Sequence, residues 1–354
     1  MKLLSAVIIC ILFYLHPTFS QNSPIISEEF IYGDALFEES NAATIVETDS
    51  GLVVAWYGIP EEKYNNVEIW LSRKEGGNWT DPIPIANGIQ NTGESHPTWH
   101  PVLYQVPGRH LLLFYKVGPN SAEWWGMLKK SKDSGQTWRK AYRLPEDILG
   151  PISNKPILLP DSTLICPSST EHNGWKVHFE SSTDWGRTWA ITAPINDKKH
   201  QIIQPSILRH PNDRLQALCR SKSGYILSSW SEDGGKSWSE PTSTGLPNPN
   251  AGIDAVTLKN GMQLLVYNHS HKQKNKSKGN RSPLNISISD DGIHWKAALI
   301  LDKEKGEYSS PAVIQDSQGL VHIVYTWNRQ KIKHVVIDPS KLKSKMIENE
   351  VWPH

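Results

Sequence analysis

Apolar residues fall along this chain in short bursts, not on a helical period. Runs such as Leu52 to Tyr57, Leu111 to Lys116 and Leu264 to Tyr267 are four to six residues long, and Gly, Pro, Asn or Asp stands near their ends. Such a pattern predicts many short strands joined by tight turns. No stretch after residue 20 sustains the 3.6-residue repeat of an amphipathic helix.

The start of the chain is different. Lys2 precedes an apolar run from Leu3 to Leu15, and Thr18-Phe19-Ser20 stands before Gln21. A charged first segment, an apolar middle and a small-residue end predict a secretory signal peptide over residues 1–20. The run is too short to span a bilayer, and no later stretch approaches the length a spanning helix needs. The expectation is an exported protein, periplasmic or secreted, with no membrane span, whose residues 21–354 form one domain.

A repeat organises that domain. Ser131 to Trp138 reads S-x-D-x-G-x-x-W, and the same string recurs at Ser182 to Trp189 and at Ser231 to Trp238. Two degenerate copies flank them: Ser72 to Trp79 has Lys74 in place of the acid, and Ile288 to Trp295 keeps Asp290, Gly292 and Trp295. The closing tryptophans stand at 79, 138, 189, 238 and 295, a spacing of one four-stranded propeller blade. The pattern has a local logic. Ser and Asp accept hydrogen bonds from nearby backbone N–H groups, Gly takes a positive φ, and Trp fills the gap between neighbouring blades. Asp133, Asp184, Asp233 and Asp290 are therefore expected to hold turns.

A second repeat precedes each box. Six polar-led, β-rich runs begin at Asn41, His100, Lys155, Gln204, Asp254 and Ser310, four of them with Pro next. Second strands end near Tyr57, Lys116, Ser168, Arg220, Asn268 and Trp327, and third strands run through Ile69, Met127, Val177, Leu227, Ile286 and Val335. The sixth unit has no fourth strand after residue 338, whereas residues 26–33 form a spare one. The prediction is an all-β, six-bladed propeller closed into a ring by its N-terminal strand, which removes the exposed sheet edges.

Composition narrows the function. Without Lys2 the 37 Lys+Arg fall to 36, matching 36 Asp+Glu, so the basic surplus that nucleic-acid binding needs is missing. Past the leader only Cys166 and Cys219 remain, at matching second-strand positions, and they are expected to be buried thiols and no disulfide scaffold. No spacing resembles a metal-ligand motif, no cofactor is expected, and the protein is expected to act as a monomer.

In a propeller the starts of the inner strands converge on one mouth of the central channel. Asn41, His96, His100, Asn154, Lys155, Gln204, Asp254 and Tyr308 would gather there, joined by Arg220, Asn268, His269 and Arg281 from outer strands. Convergent polar groups in a concavity mark a ligand site. Trp124 and Trp125 could offer a sugar-stacking face. The stretch from His269 to Arg281, with Lys272, Lys274, Lys276 and Lys278, is a basic insertion, read as a solvated loop or as a lid over an anionic oligosaccharide.

The boxes resemble the Asp-box (BNR) repeats of the sialidase superfamily of six-bladed propellers, and the similarity runs from about residue 26 to residue 338. Trp124-Trp125-Gly126-Met127, Gly150 to Pro156, Cys166 to Glu171, Asn248 to Asp254 and Tyr325 to Arg329 resemble a bacterial sialidase-like branch. Sialidases bind a carboxylate with three arginines, use a Tyr nucleophile assisted by a Glu, and protonate with an Asp. By this resemblance Arg220 and Arg281 match the second and third arginines and Tyr308 the tyrosine. The assisting Glu falls near Gln204, an amide that cannot act as a base. The first arginine falls at Asn41, and Glu61 and Glu62 are loose candidates for the acid. The resemblance thus keeps the anion-binding half and loses the hydrolytic half.

β-Elimination from a uronate needs a cation on the carboxylate, a base for the C5 proton and an acid for the group leaving C4. Arg220 and Arg281 could supply the first, Tyr308 or a His the second, His96 or His100 the third, with Lys155, Gln204, Asn41, Asp254 and Trp125 as further substrate contacts. Propeller uronate lyases and oligosaccharide dehydratases of ulvan breakdown resemble this arrangement. The sequence therefore predicts an enzyme of polysaccharide degradation that acts on the terminal acidic sugar of an oligosaccharide. Sialidase-type exo-hydrolysis and a non-catalytic carbohydrate-binding propeller are the alternatives.

Overall fold

The structure, a computed structural model, describes residues 22–35, 37–60, 66–172, 174–195, 201–273 and 279–353. The predicted leader over residues 1–20, Glu61, Glu62, Lys274, Lys276 and Lys278 lie outside the described residues. The short runs of the sequence become six antiparallel sheets. Their innermost strands are Glu39–Thr48, Thr98–Gln105, Ile157–Leu158, Ile202–Arg209, Asp254–Thr257 and Tyr308–Gln315. These are the six blades in chain order, and all six third-strand positions named from the sequence lie in third strands.

Six apolar layers fill the seams between successive blades. Between blades one and two, for example, Ala55, Leu71, Leu103 and Leu113 are fully buried together. The box tryptophans obey one rule. Trp79, Trp138, Trp189, Trp238 and Trp295 each join the layer that separates their own blade from the one before it. Trp238 lies flat on Phe179 of blade three, ring centroids 3.9 Å apart and 14° from parallel. Blade six carries no box, and Leu342 joins the seam between blades five and six. Dispersion and the loss of apolar surface from water make these layers the main source of stability.

The boxes act as turns. Ser131 Oγ donates to Asp133 Oδ1 at 2.7 Å and accepts from Gly135 N, while Asp133 takes Thr137 N at 2.9 Å. The hydrogen bonds from Thr137 hold the Asp133 carboxyl down to about 2. The fifth box corrects the sequence alignment: Ser289 and Asp291 do this work, one residue shorter than in the other copies, and Asp290 instead meets Lys296.

Residues Ile25–Phe30 pair with Lys331–Ile337 and complete blade six, close to the span expected. Glu29 fastens this closing strand to two blades at once. Its carboxylate takes the Lys74 ammonium and Trp79 Nε1 from blade one and lies 2.9 Å from His334 Nδ1 of blade six. An element the sequence did not suggest lies at the other terminus. Lys345–Met346 adds a fifth strand to blade five, and the tail then crosses to the mouth side, where Glu350 accepts Tyr225 Oη at 3.1 Å.

Candidate active site

A shared backbone irregularity shapes the mouth. The inner strands of blades one, two, four and six each slip register near their start, and the residues at the bulge take positive φ: Ala42 at 53°, His100 at 45°, Gln204 at 54° and Ser310 at 50°. None is glycine. Non-glycine residues held there mark a place where a bulge re-aims a side chain. Gln204 and Ser310 both approach Gly252, whose added Cβ would lie 3.6 Å from Ser310 Cα and 3.8 Å from Gln204 Oε1, so blades four, five and six meet at this point.

Arg220 lies one residue before the end of the second strand of blade four, Leu215–Ser221, beside Gln204. Its Nη1 donates to Gln204 Oε1 and its Nε to Asn250 Oδ1, both at 3.1 Å. Its hydrogen-bond partners are therefore neutral amides. The guanidinium also lies over Trp175 at 5.3 Å, and Lys222 covers the same ring at 4.4 Å. Burial, then the charge of Arg281, bring Arg220 down to about 10, so it remains a cation at neutral pH. Arg281 Nη1 donates to Glu307 Oε1 at 2.8 Å. The two guanidinium groups repel each other, Arg281 is paired with Glu307, and Arg220, with the Glu171 charge acting on it, has no carboxylate hydrogen-bonded to it among the described residues.

His100, on the inner strand of blade two, lies within reach of the Arg220 charge. Its Nδ1 lies 2.9 Å from Ser153 Oγ, and its ring sits between Tyr57 and Trp124, with centroids 6.1 and 5.6 Å away. Burial, the Lys116 ammonium and Arg220 push His100 down to about 3, so the ring is neutral at any physiological pH. Lys116 itself is fully buried, donates to Pro151 O at 3.0 Å and is brought down to about 8 by burial.

Other residues chosen from the sequence have structural work. Asp254 is buried, at 1% exposure, and its carboxylate takes Lys155 Nζ at 2.7 Å, Ser206 Oγ at 2.7 Å, Ala255 N at 2.9 Å and Val313 N at 2.8 Å. Lys155 also donates to Ala255 O at 3.0 Å. The pair thus ties blades three, four, five and six across the channel. Asn41 accepts Ala42 N and Thr326 Oγ1, a link between blades one and six. Asn154 donates Nδ2 to two carbonyls of blade four, and Asn268 donates Nδ2 to Pro283 O of its own blade and to Tyr308 O of blade six. His269 Nε2 lies 2.9 Å from Glu350 O of the C-terminal tail.

Tyr308 needs the largest correction. Strand alternation turns its ring into the buried layer between blades five and six. A Cβ at Gly306 would lie 2.8 Å from its hydroxyl, and burial raises its pKa, with Asp302, Lys333 and Glu304 the charges that act on it. Among the described residues no hydrogen bond joins that hydroxyl to His96, His100 or either arginine. His96 is also apart from the centre. It stands at the rim of blade two, 3.4 Å from Glu94 and edge-on to Trp125 at 5.4 Å.

Sequence reading missed Asn250, Ser153 and Trp175. The first two lie in strings already noted for their resemblance, but nothing in a single sequence says which polar residue of a turn faces a cavity. Trp175 sits between strands Leu164–Thr170 and Lys176–Ser182, outside both repeats.

Residues 50–323 match the family model described as a BNR repeat-like domain. The chain belongs to that family. No curated protein matches its sequence. Among solved structures, a Dyadobacter fermentans protein of unknown function superposes with a TM-score of 0.71 at 16% identity, over 89% of this chain and 98% of that one. The Hadza microbial sialidase Hz136 gives 0.73 at 18%, over 87% and 67%. The intramolecular trans-sialidase of Ruminococcus gnavus gives 0.71 at 14%, over 91% and 99%. At these identities the likeness to each structure is one of fold: a sialidase-like six-bladed propeller.

Proposed function

We propose that this BNR propeller is an exported carbohydrate-active enzyme that removes the C5 proton of a terminal uronate and eliminates the C4 substituent, as a dehydratase or an exo-lyase. One observation carries the proposal: His100 is held neutral with the Arg220 charge acting on it, and the hydrogen-bond partners of that guanidinium are amides. Arg220 and Arg281 bind the carboxylate and stabilise the negative charge that spreads onto it as the C5–H bond breaks. The bound anion also offsets the cationic field on His100 and raises its basicity toward the working range. With Nδ1–H donated to Ser153 Oγ, the Nε2 lone pair is the base. The electron pair of the C5–H bond becomes the C4=C5 double bond, the C4–O bond breaks, and the proton held on Nε2 returns to the leaving oxygen. His100 thus serves as base and then acid in a syn elimination. Gln204 supports this chemistry, since an amide holds Arg220 in place without neutralising it.

Hydrolysis of the sialidase type is the second reading, favoured by the named functions of the fold neighbours. The experiment is to incubate the protein with uronate-terminated oligosaccharides and follow the ultraviolet absorbance of the C4=C5 enoate, with mass spectrometry alongside. Enoate with loss of one water identifies a dehydratase, and enoate with chain scission a lyase. Release of a saturated sugar without enoate would refute elimination and leave hydrolysis. Binding with no product would leave a carbohydrate-binding module. His100→Gln should abolish turnover while leaving affinity within about threefold, because the carboxylate contacts are elsewhere.

A further inference from the structure

A cleft of about 620 Å³ opens between blades two and three beside the mouth. Trp124 and Trp125 form one wall, and Arg143 and Lys176 stand among its other lining groups. Four features point to a ligand. The Trp124 ring meets His100 edge-on, so cleft and mouth share a wall. Its indole N–H is buried and has no acceptor among the described residues, a cost the fold normally avoids. Arg143 lies over the Trp125 face at 4.8 Å, which fixes both groups. Finally, among the described residues neither Arg143 nor Lys176 pairs with a carboxylate, although Glu146 and Asp147 also line the cleft.

We infer that this cleft is a binding subsite for a second anionic sugar of the same oligosaccharide, next in line from the residue held at Arg220. The inference rests on the proposed placement of the terminal uronate at the mouth. Aromatic faces suit the apolar side of a pyranose ring, and two cations suit a carboxylate or sulfate ester. An acidic polysaccharide with a charge on successive sugars is therefore the substrate class, and a single acidic sugar uses half the site.

The test is calorimetric titration of the full chain with glucuronate and with di- and tetrasaccharides whose first two sugars are both glucuronate, each with and without a sulfate ester on the second sugar. The wild type should bind the disaccharide tighter than glucuronate by roughly 10- to 100-fold, the gain expected from one added charge-assisted contact. Arg143→Gln, at an exposed position, should erase most of that gain and leave glucuronate affinity unchanged. A gain confined to the sulfated probe assigns the cleft to sulfate, and a gain with both assigns it to the carboxylate. Equal affinity for glucuronate and the longer probes, or an Arg143→Gln loss shared equally by all of them, would overturn the subsite and leave the mouth standing. An Arg143-dependent gain for the longer probes, without measurable binding of glucuronate, would keep the cleft and refute the mouth. No binding of any probe would refute both.

Discussion

Asp254 is where sequence and structure assign different jobs to one side chain, and Asp254→Asn separates them. The carboxylate collects four donors: Lys155 Nζ and Val313 N on Oδ2, Ser206 Oγ and Ala255 N on Oδ1. An asparagine keeps one oxygen for the second pair but turns an amide N–H₂ toward the first pair, so two donors face a donor. Breaking a buried ion pair from one side costs about 3–5 kcal/mol. At roughly 2.1 cal/mol/K of unfolding entropy per residue, a chain of this size loses about 1.5 °C per kcal/mol, and the melting temperature should fall by about 4–7 °C. Lys155→Met is the matched control. It leaves the buried Asp254 carboxylate three donors but no counter-charge, so a cost in the same range of about 3–5 kcal/mol is expected. Differential scanning calorimetry of both variants, with anion titrations in parallel, decides the matter. If Asp254→Asn melts with the wild type yet loses affinity for an acidic sugar, Asp254 is a ligand contact and the cross-channel staple is refuted.

Three further outcomes follow from the same geometry. Gln204→Glu places a carboxylate where an amide now accepts from Arg220 at 3.1 Å, and it should compete with the substrate anion and weaken binding about tenfold by titration. Burial holds His334 at about 4 and His100 at about 3, below the ordinary value near 6.5. The unfolded chain then binds more protons, so stability present above about pH 6.5 is lost as pH falls toward 4, with His334 contributing about 1.4 kcal/mol per pH unit in a denaturation series. A flat profile across that window would refute the neutral imidazoles. Trp238→Ala removes the ring stacked on Phe179 between blades three and four, together with the indole hydrogen bond to Gly235 O of the boxed turn, and should cost about 2–4 kcal/mol by urea unfolding.

The sequence by itself determined the architecture. Five boxes at blade spacing and six polar-led strands are local signals, because a turn built on Ser, Asp and Gly and a tryptophan at a fixed offset need only neighbours along the chain. The closing strand was legible too, as a count: one blade lacked a fourth strand and one strand lacked a blade. At the fifth box the string slips by a residue, and only the hydrogen bonds show that Asp291 replaces Asp290.

Which polar groups meet a substrate was decided in three dimensions. Arg220, Arg281, Gln204 and His100 come from blades two, four and five, and their relation depends on strand alternation, on four bulges and on the closure of the ring. The same alternation turns Tyr308 into the seam between blades five and six, and the central packing consumes Lys155 and Asp254 in a staple. A residue one position along a strand faces the opposite way, and a bulge changes that parity without a signature in one sequence. Local chemistry therefore wrote the blades, and only tertiary packing sorted the polar rim into groups that hold the propeller together and groups left to the proposed site.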